Sequence, residues 1–197
     1  MYSVEELIGI LEIRLSKKRF THSMNVAAEA KKLSEFYGCA DPDTAYTAGL
    51  IHDICKEIPP EEQLAMVKKS RRNVCDAELV TQPLYHGIAG AWYAENVLGF
   101  TDEDLLNAIR YHTVARAGMS RLEQIVYLAD LISAERTYKD VGRMRKTAYQ
   151  DLDKAMLEAL KFSITDVVAK GSLLPIHTIE AYNQYTLEQK NKENDKG

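Results

Sequence analysis

Apolar residues recur along this chain at steps of three and four, and no run alternates polar with apolar residues long enough to make a strand. That period leaves the helix as the regular element, so the expected fold is all-α, a helical bundle. Val4, Leu7, Ile8, Leu11 and Ile13 mark a first amphipathic helix from Val4 to Leu15. Ser23 to Phe36 repeats the pattern, with Gly38 as its stop. Asp41-Pro42 supplies a cap and first turn for a third helix, from Asp43 to about Cys55. Pro59-Pro60 breaks the chain, a short helix resumes over Glu61 to Lys69, and Ser70 to Gln82 is polar without a regular period.

The segment from His86 to Val97, closed by Gly99, is expected to be a small-residue helix in which Gly87, Ala89, Gly90 and Ala91 admit a close backbone or ligand. Thr101 with Asp104 resembles a capping box ahead of Leu105, Leu106 and Ile109, in a helix ending near His112. Ser120 caps the segment carrying Leu122, Ile125, Val126, Ala129 and Ile132. The longest stripe runs from Ala148 through Leu152, Ala155, Met156, Ala159, Leu160 and Ile164 to Val168, ending at Gly171 with Pro175 beyond. The closing LEQKNKENDKG has no apolar face and is expected to fray, which divides the chain into one helical domain over 1–187 and a polar tail over 188–197. There is no solenoid-type repeat.

With 46 % apolar and 27 % charged residues, 197 residues suffice for one domain with its own core. A net charge of −4 argues against a general nucleic-acid binder, which needs a positive surface to displace counterions. Three cysteines without CxxC spacing indicate neither a disulfide framework nor a thiolate zinc site. The N-terminus is acidic where a signal peptide is basic, and no stretch approaches the roughly 18 apolar residues of a membrane span. The expectation is a soluble, cytoplasmic protein with neither nucleic-acid nor membrane partners.

Of five histidines, four begin or end an expected helix: His22, His52, His86 and His112. Helix ends in a bundle can converge, and imidazoles mixed with carboxylates suit iron, manganese or zinc better than calcium. The candidate carboxylates are Asp53, within AGLIHDICKEI, and Asp130, within IVYLADLISA. A carboxylate among apolar residues needs compensation, either from a metal cation or from an Arg or Lys partner. His52 and Asp53 diverge by roughly 100° on a helix, yet near its end both can reach one ion. His177, in SLLPIHTIEAY, stands outside the helix-end group, and Cys55 and Cys75 read as packing residues.

RFTHSMNVA, GLIHDICKEI, YHGIAGA, AIRYHTV and VYLADLISAER together present His, His-Asp, His, His and Asp in order. In this the chain resembles the HD-domain metal-dependent phosphohydrolases, and within them the YqeK branch of bacterial symmetrical diadenosine tetraphosphate hydrolases, from Lys18 to about Tyr185. The resemblance implies an HD-domain bundle whose metal ligands are His22, His52, Asp53 and Asp130, with His86 and His112 near a second metal or the scissile phosphate. It also implies cleavage of diadenosine tetraphosphate to two ADP by metal-bound hydroxide, with Asp53, His86 and His112 as the catalytic groups.

The cofactor this suggests is a divalent metal, iron by resemblance and by its donor set and manganese next, as one or two ions. Arg19, Lys56 and Arg136 then offer positive charge to a polyphosphate, their alternative being solvated surface charge. The segment LLPIHTIEAYN resembles the family's C-terminal element, which makes Pro175, Ile176, His177 and Tyr182 candidates for meeting the nucleotide. A homodimer is left open. Two alternatives stand beside this reading: an HD-type nucleotidase or other nucleotide phosphohydrolase, and a non-catalytic nucleotide-sensing protein.

Overall fold

The apolar period produces eleven α-helices and no strand among residues 2–195, which the computed structural model describes. In order they are α1 (Val4–Arg14), α2 (Lys17–Tyr37), α3 (Pro42–Ile51), α4 (Pro60–Lys69), α5 (Asp76–Val80) and α6 (Tyr85–Asn96). Then follow α7 (Glu103–Tyr111), α8 (Arg121–Ile132), α9 (Val141–Ala148), α10 (Leu152–Ala169) and α11 (Ile176–Asn194).

Local chemistry sets their ends. Ser3 and Glu6 form a capping box at α1, Ser120 and Glu123 another at α8, and Asp41 with Pro42 opens α3. Gly38 closes α2 in the left-handed conformation, φ 59°, that a side chain would resist.

Several boundaries differ from expectation for identifiable reasons. Helix α2 begins at Lys17 rather than Ser23, because the Ser16 hydroxyl accepts the Arg19 N–H and starts it on polar residues that carry no period. His22 therefore lies inside a helix, not at its start. Helix α3 stops at Ile51 rather than Cys55, and the chain goes on through tight turns, Ile54 N–H to the Ile51 carbonyl and Lys56 N–H to that of Asp53.

The cap of α7 is Asp102 rather than Thr101, its carboxylate accepting the Asp104 N–H at 2.9 Å. Ala148 ends α9, and Asp151 starts α10 afresh by accepting the Lys154 N–H, so the long stripe is two helices. The tail expected to fray is helical through Asn194. Lys192 reaches Asp153 at 3.0 Å, and Gln189 donates to Glu193 at 3.1 Å along the same face. Lys196 and Gly197 of that tail lie outside the described residues.

The core takes Leu7 and Leu11 from α1, Leu33 from α2, Leu50 and Ile51 from α3, Leu106 and Ile109 from α7, and Ile125 and Leu128 from α8, all essentially unexposed. Small residues bring the site-bearing elements together. A Cβ on Gly49 would stand 3.0 Å from the Ala27 Cα, so α3 lies directly on the backbone of α2. On α6, a Cβ at Gly87 would be 3.1 Å from the Arg110 carbonyl, and one at Gly90 would be 3.4 Å from the His52 carbonyl. The close approach these glycines permit is that of neighbouring backbone, and it seats α6 against the ends of α3 and α7. No helix among the described residues is long and apolar enough to cross a membrane.

Candidate metal centre

The last turn of a helix leaves carbonyls without intrahelical partners; two of the histidines occupy such carbonyls and a third takes one in the turn before α6. His52 Nδ1 donates to the Gly49 carbonyl at 2.6 Å, His112 Nδ1 to that of Ile109 at 2.7 Å and His86 Nδ1 to that of Pro83 at 2.8 Å. A carbonyl can only accept, so Nδ1 carries a proton in each ring and Nε2 is the nitrogen turned toward Asp53. His22, inside α2, has no free carbonyl within reach. Its Nδ1 instead meets the Glu135 carboxylate, which Asn25 and Ser133 hold by donating at 2.7 Å each.

The four Nε2 atoms converge on Asp53, in the turn after α3, and divide between its two oxygens. Oδ2 faces His52 at 3.4 Å and His22 at 3.7 Å, and His22 also lies 3.1 Å from Asp130 on α8. Oδ1 faces His86 at 3.3 Å and His112 at 3.6 Å, these two Nε2 atoms being 3.1 Å apart. All four rings and Asp53 are buried. His22 Nε2, His52 Nε2 and Asp53 Oδ1 have no hydrogen-bond partner although water does not reach them, a condition that costs free energy unless something else satisfies them.

Donor atoms of His22, His52 and Asp130 lie within 4.8 Å of one another, as do those of His52, Asp53 and His112. Imidazole nitrogens aimed inward beside two carboxylates fit one or two divalent cations. Asp53 stands between His22 and His52 at its Oδ2 and His86 and His112 at its Oδ1.

Burial raises the Asp53 carboxyl, but the surrounding imidazoles, His52 first, hold it well below the usual carboxylate range. Asp130 is likewise pushed up by burial and held down by His22, His52 and Arg136. Both are ionised at neutral pH. Burial lowers His22, but Asp130, Glu135 and Asp53 together raise it above 6.5. Burial also pushes His86 well down, so that ring is neutral.

Both aspartates also meet an arginine: Arg19 reaches Asp53 at 2.7 Å, and Arg136 binds the carboxylate and the carbonyl of Asp130. Each arginine is about one-third exposed, on the solvent side of the cluster. Lys56 lies 3.1 Å from His86 Nε2, its ammonium lowered by burial. All three expected cations therefore border the centre.

The C-terminal group sits just beyond the end of α7, where Thr178 donates to the Val114 carbonyl at 2.7 Å. His177 lies 3.5 Å from Glu78 and edge-on to Tyr111. Pro175 caps α11, Ile176 is exposed, and Tyr182 packs against the core. Cys75, Glu78 and His177 do cluster, but the buried Arg110 guanidinium, 2.8 Å from Glu78, already supplies the cation there. The Cys55 thiol is pushed by burial to about 12, which leaves it inert.

Glu135 was not legible in the sequence. It follows Asp130 in ADLISAER as one more acidic residue, and only a missing partner for an interior His22 would have pointed to it.

With this geometry the chain matches the HD domain family model over residues 19–135. The chain belongs to the HD-domain family. It is 34 % identical to a symmetrical bis(5'-nucleosyl)-tetraphosphatase of Halalkalibacterium halodurans, covering 93 % of this chain and 97 % of that protein. Its identity to the Bacillus subtilis enzyme of the same name is 33 %, over 91 % and 95 %. The crystal structure of a predicted HD superfamily hydrolase involved in NAD metabolism from Clostridium acetobutylicum superimposes with a TM-score of 0.91 at 38 % identity, covering 95 % of this chain and 99 % of that one. The HD-domain bundle read from the five motifs is thus the fold observed, and all six motif residues meet in one place.

Two outcomes follow for metal binding. A carboxylate behind a metal-binding imidazole orients it and raises its basicity, so Glu135→Ala should weaken manganese binding about 10- to 100-fold by calorimetric titration, with Glu135→Gln recovering part of the loss; unchanged affinity would deny Glu135 this role. Because His22 is raised above 6.5 in the metal-free protein, an incoming ion must displace its proton. Apparent affinity should therefore climb as pH rises through and above 6.5, with proton release visible in the buffer dependence of the binding enthalpy; a pH-independent affinity would contradict this.

Proposed function

We propose that this HD-domain protein is a metal-dependent hydrolase that splits diadenosine tetraphosphate symmetrically into two ADP. The observation that carries the reading is near end-to-end similarity to two proteins named symmetrical bis(5'-nucleosyl)-tetraphosphatase, joined to an intact set of inward-facing donors. A divalent ion in this centre supplies an acidified water and withdraws charge from phosphoryl oxygens. Iron is the proposed metal, with manganese next, on the imidazole-carboxylate mix.

The chain's residues then divide the work. His22, His52, Asp53 and Asp130 would hold the metal, and Asp53, His86 and His112 would hold a second ion where one binds. His86 is neutral, which suits it to ligation or to accepting a proton from the attacking water. Water adds across the central P–O–P linkage, one oxygen–phosphorus bond forming as another breaks, and the released ADP takes up the proton.

Arg19 and Arg136, exposed enough to swing off their aspartates, are placed to neutralise the phosphates on the side facing solvent, and Lys56 those beside His86. The bridging role of Asp53 and the phosphate roles of these cations belong to the proposal. So do a single domain over 1–187, a cytoplasmic setting and a homodimeric form.

Anaerobic incubation of the purified protein with diadenosine tetraphosphate and iron, manganese or cobalt, with chromatographic resolution of products, tests the reading. ADP as the sole nucleotide product, lost in Asp53→Ala, is expected. ATP with AMP, or faster release of inorganic phosphate from a mononucleotide, would overturn it.

A further inference from the structure

The polar stretch from Ser70 to Gln82, which carries no regular period, is held to the rest of the fold by two deeply buried charges. Glu78, on α5, is 0 % exposed and Arg110, on α7, is 1 % exposed. The pair is bidentate, with guanidinium nitrogens 2.8 Å and 2.9 Å from the two carboxylate oxygens. Arg110 also donates to the Asn73 carbonyl at 2.7 Å, and Glu78 accepts the Cys75 N–H at 3.0 Å. His177, at the start of α11, stands 3.5 Å from the same carboxylate. Burial raises the Glu78 carboxyl, but Arg110 holds it below its ordinary value, so the pair is ionic.

Two such charges are costly to take out of water, and well-packed apolar side chains of similar volume often serve stability as well or better. Helix α5 has no apolar stripe to dock it: of its five residues only Glu78 is buried, while Leu79 and Val80 are exposed. A charge in a fixed fork geometry therefore seats this helix where an apolar face would ordinarily do so, and a fork fixes direction as well as contact.

What the pair fixes is the approach to one side of the metal centre. Tyr85 donates its hydroxyl to the Leu79 carbonyl at 2.7 Å, tying the first residue of α6 to α5. Pro83, in the turn that follows α5, offers the carbonyl that receives His86 Nδ1 at 2.8 Å. At the other end of the pair Arg110 shares the last turn of α7 with Tyr111, just ahead of His112, and its own carbonyl is what a Cβ on Gly87 would meet at 3.1 Å. The segment that aims His86 is thus joined to the helix that carries His112. By contrast, His52 Nδ1 is held within α3, by the Gly49 carbonyl at 2.6 Å.

We infer that the Glu78–Arg110 ion pair is a positioning device for the His86–His112 side of the centre: it clamps residues 73–83 against α7, so that the Pro83 carbonyl stands where it turns His86 toward His112 and Asp53. Both act through those two imidazoles and are positioning residues. This rests on the reading that His86 and His112 serve the metal centre, and adds which residues outside the centre hold them in place.

Solvent exchange of the imidazole Nδ1 protons, followed by NMR in the metal-free protein, tests this without metal or turnover. Glu78→Gln, which keeps the shape and removes the charge, should speed exchange of the His86 Nδ1 proton about tenfold and leave that of His52 unchanged. Stranding Arg110 without its partner destabilises the fold. The paired variant Glu78→Leu with Arg110→Met removes both charges together and should give the same contrast in a stably folded chain. An unchanged His86 proton in both variants would overturn the assignment, and so would equal acceleration at His86 and His52, which marks a general loss of stability. The paired variant should also need about ten times the manganese for half-maximal cleavage of diadenosine tetraphosphate; an unchanged requirement would overturn the assignment too. Should the wild type fail to cleave that substrate, the proposed activity falls, while the contrast between His86 and His52 still decides the positioning role.

Discussion

Everything at the functional end of this molecule is arranged around one buried carboxylate. Asp53 is about 2 % exposed and ionised, a condition that costs several kcal/mol without compensation. Four imidazoles, one arginine and a second carboxylate from α8 gather on it, so the elements that carry them must be held in register. The close backbone contacts at Gly49, Gly87 and Gly90 provide that register. A bulkier residue at Gly49 or Gly87 would press on neighbouring backbone, and at Gly87 also on the His112 ring.

The second constraint is orientation. An imidazole binds a cation only through a nitrogen that carries no proton, and the fold fixes which nitrogen that is. Two rings are set by carbonyls that helix ends leave unpaired and a third by one in the turn before α6, so ending a helix and aiming a ligand are one structural event at His52 and His112. His22 is the exception that needed Glu135. The arginines on Asp53 and Asp130 are their ion-pair partners at the solvent edge. Each aspartate has an arginine outside, one of the two compensations considered for a buried carboxylate, and faces inside a donor set that could hold a cation, the other.

How much of this was legible in the sequence depended on the range of the interaction. Period and caps located the helices that bury a stripe, and the setting of Asp53 and Asp130 in apolar runs marked them as carboxylates in need of a cation. The resemblance of five ordered motifs to HD-domain proteins brought together residues that no local pattern could. What escaped were features set by distant partners. Helix α2 starts on polar residues under a serine cap, Ser16, that donates to Glu57 across the fold, and α11 continues through polar residues because Asp153 on α10 receives Lys192. Glu135 matters only once His22 is known to be interior, and Glu78 and Arg110 meet only when α5 packs beside α7. The C-terminal segment was read as a nucleotide contact from resemblance, and the contacts that local sequence could not show are those of His177 with Glu78 and Tyr111.

The most direct test of the account is the location of bound metal. Anomalous diffraction from crystals grown with manganese should show an ion bonded to His22 Nε2, His52 Nε2, Asp53 and Asp130, with Arg19 and Arg136 displaced from the two carboxylates. No ion at that position, with both arginines still on their aspartates, would contradict the claim that this cluster exists to hold a cation.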